Sequence, residues 1–382
     1  MRDELFILGD PRYLSGGECA HYQINYSHRP PRISVPVARS RDVADLPGGT
    51  TAERLKNLGQ DIHGGKQGYH SRPHLNLFLA KGSDPTAGVE IETVAKAKSE
   101  AKCQELEAAL TSNWFHAERD GSLDPEHDGQ FGYEWITDPL PPRVYRDPRT
   151  WVGFQNLMTP WVSSFDRSEC GLHVHVGLEQ FESDSCESFA PFWNPDDRRT
   201  LGKYLSAFVY YALLDQAFID RVVLRKATDY CKPQYPEGFV IGYVPGMKAA
   251  EIVDLVACKM LRDSPLQWQS LVRGQRSRLS SDCFEATDRL FYGEACVPGF
   301  EGHGVEINCA HPYTVEFRRG KGTLQGISIH RMVELMTLIV RFAWKMAREP
   351  QLRVEQADVY RWIAANTTSA ALKGMAEREL CA

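Results

Sequence analysis

Four short stretches of the chain alternate polar with apolar residues, and the polar positions carry groups that bind metals and phosphates. They are Gly88-Val89-Glu90-Ile91-Glu92-Thr93, Cys170-Gly171-Leu172-His173-Val174-His175-Val176, Gly304-Val305-Glu306-Ile307-Asn308-Cys309 and Tyr313-Thr314-Val315-Glu316-Phe317-Arg318. In an extended strand, residues two apart point the same way. Each stretch therefore has an apolar face and a chemical face, the latter bearing Glu90/Glu92, His173/His175, Glu306/Asn308 or Glu316/Arg318. Strands sharing one sheet would pack their apolar side on helices and leave a cleft on the other. Carboxylates and imidazoles at that density suit a divalent-metal site. Asp120 or Glu306 is a candidate general base. An enzyme is the expectation.

Other residues have two readings. Glu316 and Arg318, two apart on a strand, are also spaced to form an ion pair. Arg273, Arg276 and Arg278 in Val272-Arg273-Gly274-Gln275-Arg276-Ser277-Arg278 offer forked donors that suit phosphate groups, or else form a solvated basic turn. Lys321, between Gly320 and Gly322, is open to the same pair of readings. Glu134 shares its strand face with Ile136, so that face is not cleanly polar. Cys170, just before Gly-Leu-His, is read as a packing residue rather than a nucleophile, because strand neighbours do not readily pair base and nucleophile. His63, His70 and His74 fit no standard zinc spacing and are read as loop histidines.

The elements that must position these groups follow from pattern. Residues 1–83 are rich in Pro, Gly, Arg and His and read as an N-terminal arm or lid, with a strand at Leu75–Leu79. From Gly88 a strand leads into a helix from about Ala95 to Trp114, followed by a strand at Tyr133–Thr137 that stops at Asp138-Pro139. A helical stretch near 150–163 precedes the histidine strand. Asn194-Pro195-Asp196-Asp197 opens the longest expected helix, about 197–224, and further helices are expected at 247–262, 264–291 in pieces, 325–348 and 368–380. The Glu306 and Glu316 strands read as neighbours joined through Ala310-His311-Pro312. This order predicts α+β architecture with a largely antiparallel sheet. The expected division is an arm at 1–83, a catalytic domain at 84–350 and a helical tail at 351–382.

The 382 residues carry a net charge of −6 and no basic block, which argues against general nucleic-acid binding. Apolar runs fall short of a membrane span, and Met1-Arg2-Asp3-Glu4-Leu5 lacks the pattern of a signal peptide, so a cytoplasmic protein is expected. The ten cysteines include no C-x-x-C pair and read as reduced thiols. There is no dinucleotide or P-loop glycine motif.

The ordered set G-V-E-I-E-T, R-D-G-S-L, Y-E-W-I-T-D-P-L, C-G-L-H-V-H-V and T-V-E-F-R-R-G-K-G-T-L resembles the amidoligase family over about residues 86–345. These carboxylate–amine ligases are grouped with glutamate–cysteine ligase and glutamine synthetase. The resemblance implies a glutamine-synthetase-like catalytic domain, a curved antiparallel sheet with helices packed on its apolar face, that uses ATP and two or more Mg²⁺ ions, with Mn²⁺ an alternative. It implies Glu90, Glu92, Glu134, His175 and Glu316 as metal ligands, with His173 beside them, and Arg318 as the arginine on the transferring phosphate. Asp120 and Asn308 also match motif positions. The implied partners are a small-molecule or peptide carboxylate and an amine acceptor. The alternatives are a Zn²⁺- or Mn²⁺-dependent hydrolase built on the H-x-H and carboxylate cluster, and a relative that only binds ligands.

Overall fold

A computed structural model describes residues 84–96, 115–119, 123, 131–137, 139–164, 170–182, 195–226, 243–263, 306–309, 311 and 313–381, together with three short strands between residues 18 and 76. Asp120, Arg276, Arg278, His63, His70 and the helices expected at 264–291 lie outside the described residues, as does nearly all of the helix expected at 95–114. Ala95 itself ends a strand. The chain divides into two compact units. One comprises 1–81, 86–172 and 321–329; the other comprises 82–85, 173–320 and 330–382.

In the first unit, β1 (Glu18–Gln23), β2 (Val37–Arg39) and β3 (Pro73–Asn76) form an antiparallel sheet in the order β2-β1-β3. β3 begins two residues before the strand expected at 75–79 and shares Leu75 and Asn76 with it; residues 77–79 lie outside the described residues. β4 (Ala87–Ala95), β5 (Phe115–Arg119) and β6 (Gly132–Thr137) are antiparallel with β6 central, and β7 (Val162–Ser163) pairs the end of β4. β4 follows its alternation: Ala87, Val89 and Ile91 are buried while Glu90 and Glu92 are half-buried. The buried Trp135 satisfies its indole N–H on Thr93 Oγ1 at 2.9 Å. α1 (Pro142–Tyr145) leads to α2 (Pro148–Met158), which begins with Asp147 accepting the Arg149 N–H and a proline in the first turn. α2 buries Trp151, Phe154 and Met158, one apolar stripe. The helical stretch expected to reach 163 stops at Met158 because Pro160 has no N–H to extend it, and the chain then enters β7.

In the second unit, β8 (Gly171–Gly177, from His173 onward), β11 (Thr314–Lys321, to Gly320) and β10 (Ile307–Asn308) lie in the order β10-β11-β8. Ile307 opposes Phe317 and Asn308 opposes Glu316 in an antiparallel ladder, the expected neighbours. The helix expected over 197–224 is two helices, α3 (Pro195–Ala212) and α4 (Gln216–Val223). The break has a local cause: the Asp215 carboxylate accepts N–H groups from Ala217 and Phe218 at 2.7 and 3.2 Å and so starts a new helix. β9 (Met247–Lys248) pairs β12 (Arg353–Val354), and α5 (Ala249–Asp263) begins with the Glu251 carboxylate accepting the Lys248 N–H. α6 (Gly326–Arg348) is the longest described helix at 23 residues, and most of its length from His330 onward is buried. α7 (Gln356–Asn366) and α8 (Ala370–Glu379) end the chain. Ring contacts close the core: Phe181 on Trp344 at 5.1 Å and Phe218 on Tyr360 at 5.1 Å.

The protein is α+β with open, uncurled antiparallel strands. No described helix is long and apolar enough to cross a membrane.

Candidate metal centre

Glu316, in the middle of β11, is 1% exposed. A carboxylate so placed must be compensated by donors or cations. Asn308, directly opposite on β10, donates its Nδ2–H to Oε2 at 2.9 Å. His311 Nε2 lies 3.0 Å from the same oxygen. Arg318 donates Nη1–H to Oε1, so the same-strand ion pair that the spacing allowed does form. His173 Nδ1 and His175 Nε2 stand 3.6 and 3.7 Å from Oε1. The His175 and His311 rings meet edge to face at 5.0 Å, and the Thr314 hydroxyl lies 3.5 Å from His175 Nδ1. One atom from each of His175, His311 and Glu316 falls within 4.8 Å of the other two, the spread of a common ion's ligands.

The other side of β11 has a different chemistry. Arg319, next to Arg318, points the opposite way and donates to Glu306 Oε1 at 2.5 Å, to Gln216 Oε1 at 2.6 Å and to Asp220. Tyr210 on α3 donates its hydroxyl to Glu306 at 2.7 Å, and its ring packs 5.8 Å from Phe317. Glu306 lies in a bend just before β10, which breaks the alternation expected of Glu306 and Asn308. Asn308 joins the Glu316 side, whereas Glu306 joins the helix-covered side and is 0% exposed. Burial, then the Glu306 charge, raises the Tyr210 hydroxyl well above the ordinary phenol range, and Tyr211 behaves likewise. Burial alone would lower Arg319, but Tyr210 and Glu306 hold it above its ordinary value and it stays charged. This group has the character of a buried structural ion pair, and Glu306 is not placed to meet a substrate amine.

Within the first unit, the β-ladder places carboxylates side by side. Glu92 opposes Glu134, and Glu134 opposes Glu118, so three neighbouring strands carry one row. Glu118 and Glu134 are 5% and 8% exposed. Glu92 accepts the Gly171 N–H at 2.5 Å on Oε2, and Glu90 lies two residues earlier on the same face of β4. Like charges in register are unfavourable unless something positive offsets them. Lys321 is half-buried at the end of β11.

Three residues of these clusters are not in the expected set. Glu118 sits in a stretch whose sequence reads as a turn, and only the β5–β6 register brings it beside Glu134. His311 lies in the connection between β10 and β11, where no alternation marks it. Lys203 is a buried helical lysine whose ammonium donates to the backbone carbonyls of Cys309, at 2.9 Å, and of His311. One turn earlier on α3, the Arg199 guanidinium lies 4.6 Å from the Tyr313 ring centroid. Two cations on one helix face therefore hold the connection that carries His311.

No protein-family model matches the chain, and no curated protein matches it.

Proposed function

We propose that the protein is an ATP- and Mg²⁺-dependent ligase that joins a carboxylate to an amine, forming an amide or isopeptide bond through an acyl phosphate. The observation that carries this reading is the buried Glu316, ringed by imidazoles and the Arg318 guanidinium on one strand face. The ordered motifs that resemble those of amidoligases support it.

On this reading a substrate carboxylate oxygen attacks the γ-phosphorus of ATP, releasing ADP and leaving an acyl phosphate. The neutral amine then attacks the acyl carbon, phosphate departs with the C–O bond electrons, and the amine proton passes to a base. Bound Mg²⁺ would neutralise phosphate charge throughout. The resemblance assigns Glu90, Glu92 and Glu134 of the first unit, and His173, His175 and Glu316 of the second, as metal ligands. Arg318 would meet the charge on the transferring phosphoryl group, and Arg276, Arg278, Lys321 and Asn308 would position the nucleotide. With Glu306 locked to Arg319, the base falls to Asp120.

The test is phosphate release from ATP that requires both an acid and an amine and is lost in Glu316→Gln while the circular dichroism spectrum is kept. ATP turnover indifferent to any amine would reject the assignment. The nitrogen-rich setting of Glu316 favours a second reading, a hydrolase using Zn²⁺ or Mn²⁺. Stoichiometric zinc in the purified protein and hydrolysis without ATP would select that reading instead.

A further inference from the structure

We propose that His175, His311 and Glu316 form a two-histidine, one-carboxylate site selective for a borderline divalent cation of the Mn²⁺ to Zn²⁺ series over Mg²⁺. The inference rests on Glu316 being a metal ligand, as in the function proposed above, and departs from that reading in the ion, which there is Mg²⁺; it does not rest on ATP or on amide chemistry.

Geometry is the first argument. Ligands about 2.0–2.2 Å from one ion stand roughly 2.8–3.6 Å from each other in octahedral or tetrahedral arrangements. The observed separations are 3.0 Å from His311 Nε2 to Glu316 Oε2 and 3.7 Å from His175 Nε2 to Oε1, so a small side-chain adjustment lets both rings share an ion with the carboxylate. Softness is the second. Mg²⁺ seeks oxygen donors and sheds water reluctantly, whereas imidazole suits Mn²⁺, Co²⁺ and Zn²⁺. Two nitrogens and one carboxylate match the facial sets of the later ions.

Support around the ligands is the third argument. The Thr314 hydroxyl beside His175 Nδ1 leaves Nε2 turned toward Glu316, the arrangement that sets a ligand tautomer. Asn308 holds the Glu316 carboxylate from across the ladder. Lys203 and Arg199 hold the connection on either side of His311, so this imidazole is presented by an anchored segment. His173 Nδ1, 3.6 Å from Oε1, is placed to add a further nitrogen. The Arg318 guanidinium also sits on Oε1, and a bound dication must displace that positive charge from the oxygen.

The experiment titrates the full chain, without ATP, with Co²⁺, Zn²⁺, Mn²⁺ and Mg²⁺. Co²⁺ should give the visible bands of nitrogen-containing coordination, and Zn²⁺ and Mn²⁺ should bind at least about tenfold tighter than Mg²⁺. His311→Gln, at a side chain 27% exposed, should keep the fold and lose roughly tenfold or more in Zn²⁺ affinity, with the Co²⁺ bands altered. Glu316→Gln should abolish them. Zn²⁺ affinity in His311→Gln within about twofold of wild type, or equal affinity for Mg²⁺ and Zn²⁺, overturns the proposal. Intact Co²⁺ bands with no acid- and amine-dependent phosphate release would reject the ligase reading and leave this site standing.

Discussion

Arg318 and Arg319 are adjacent in sequence yet belong to two different electrostatic systems, and that difference can be measured. Arg318 pairs with Glu316 beside three histidines on one face of β11; Arg319 pairs with Glu306 and Asp220 on the other. A guanidinium on Oε1 of Glu316 competes with any cation for that oxygen. Arg318→Met should therefore tighten metal binding in the absence of ATP, by about fivefold if the repulsion relieved is near 1 kcal/mol. The same change should weaken ATP binding. Titrating metal and nucleotide separately checks both, and a loss of metal affinity would show that Arg318 supports the site rather than competing for it. On the other face, Glu306→Gln removes one partner of a buried ion pair and leaves Arg319 short of countercharge. Removing one member of such a pair costs about 3–5 kcal/mol. Urea unfolding should show a loss of that order, while the metal affinity of the folded variant stays close to wild type.

The strands and helices that set these faces depend on close approaches that only certain residues allow. Gly326, at the start of α6, donates its N–H to Gln155 Oε1 at 2.7 Å, and a Cβ there would stand 2.5 Å from the Trp151 carbonyl oxygen. Trp151 is buried and its backbone is fixed within α2, so it has little room to give way. Gly326→Ala should destabilise by about 1–3 kcal/mol, the range for overpacking, which thermal unfolding would detect. No loss at all would mean that α2 yields. Elements of this kind also show where the sequence was legible. Val315/Phe317 against Glu316/Arg318 announces a two-faced strand, and the Asn308–Glu316 pairing follows from neighbouring strands. The break at Asp215 had a local signal, an N-cap residue, but it lay inside a long helical pattern that concealed it. Glu306 departs from the face its alternation predicts for a physical reason. Alternation holds only within a strand, and Glu306 stands in the bend before β10, where the attraction of Arg319 and Tyr210 decides its direction. His311, Lys203 and Glu118 carry no local pattern because their neighbours are distant in sequence: 108 residues separate Lys203 from the His311 carbonyl.

At the scale of the whole molecule, the clearest consequence is how stability responds to alkaline pH. Of the 15 tyrosines, Tyr210, Tyr211, Tyr243 and Tyr360 all have hydroxyls raised by burial above the ordinary value of 10.0, Tyr243 to about 12. In the unfolded chain these phenols ionise near pH 10; in the folded protein they keep their protons to higher pH. Their contribution to stability is therefore fully present below pH 10 and is lost as pH rises toward their folded values. Each such phenol lowers the unfolding free energy by about 1.4 kcal/mol per pH unit in that window. Tyr210 and Tyr211, both 8% exposed or less, would together lower it by about 3 kcal/mol per unit. A protein at the lower end of ordinary stability, about 5 kcal/mol, should then unfold cooperatively within about two units above pH 10. Tyrosinate absorbance should rise in two stages: a gradual one from accessible phenols, and a sharp one coinciding with the loss of helical circular dichroism. In Tyr210→Phe the slope above pH 10 should be shallower by one phenol's share. Stability near neutral pH should fall by about 1–3 kcal/mol, because Glu306 loses a buried donor. Smooth titration of every phenol near pH 10 with the circular dichroism unchanged would contradict the burial of Tyr210 against Glu306, and with it the separation of β11 into a helix-packed face and the face that carries Glu316.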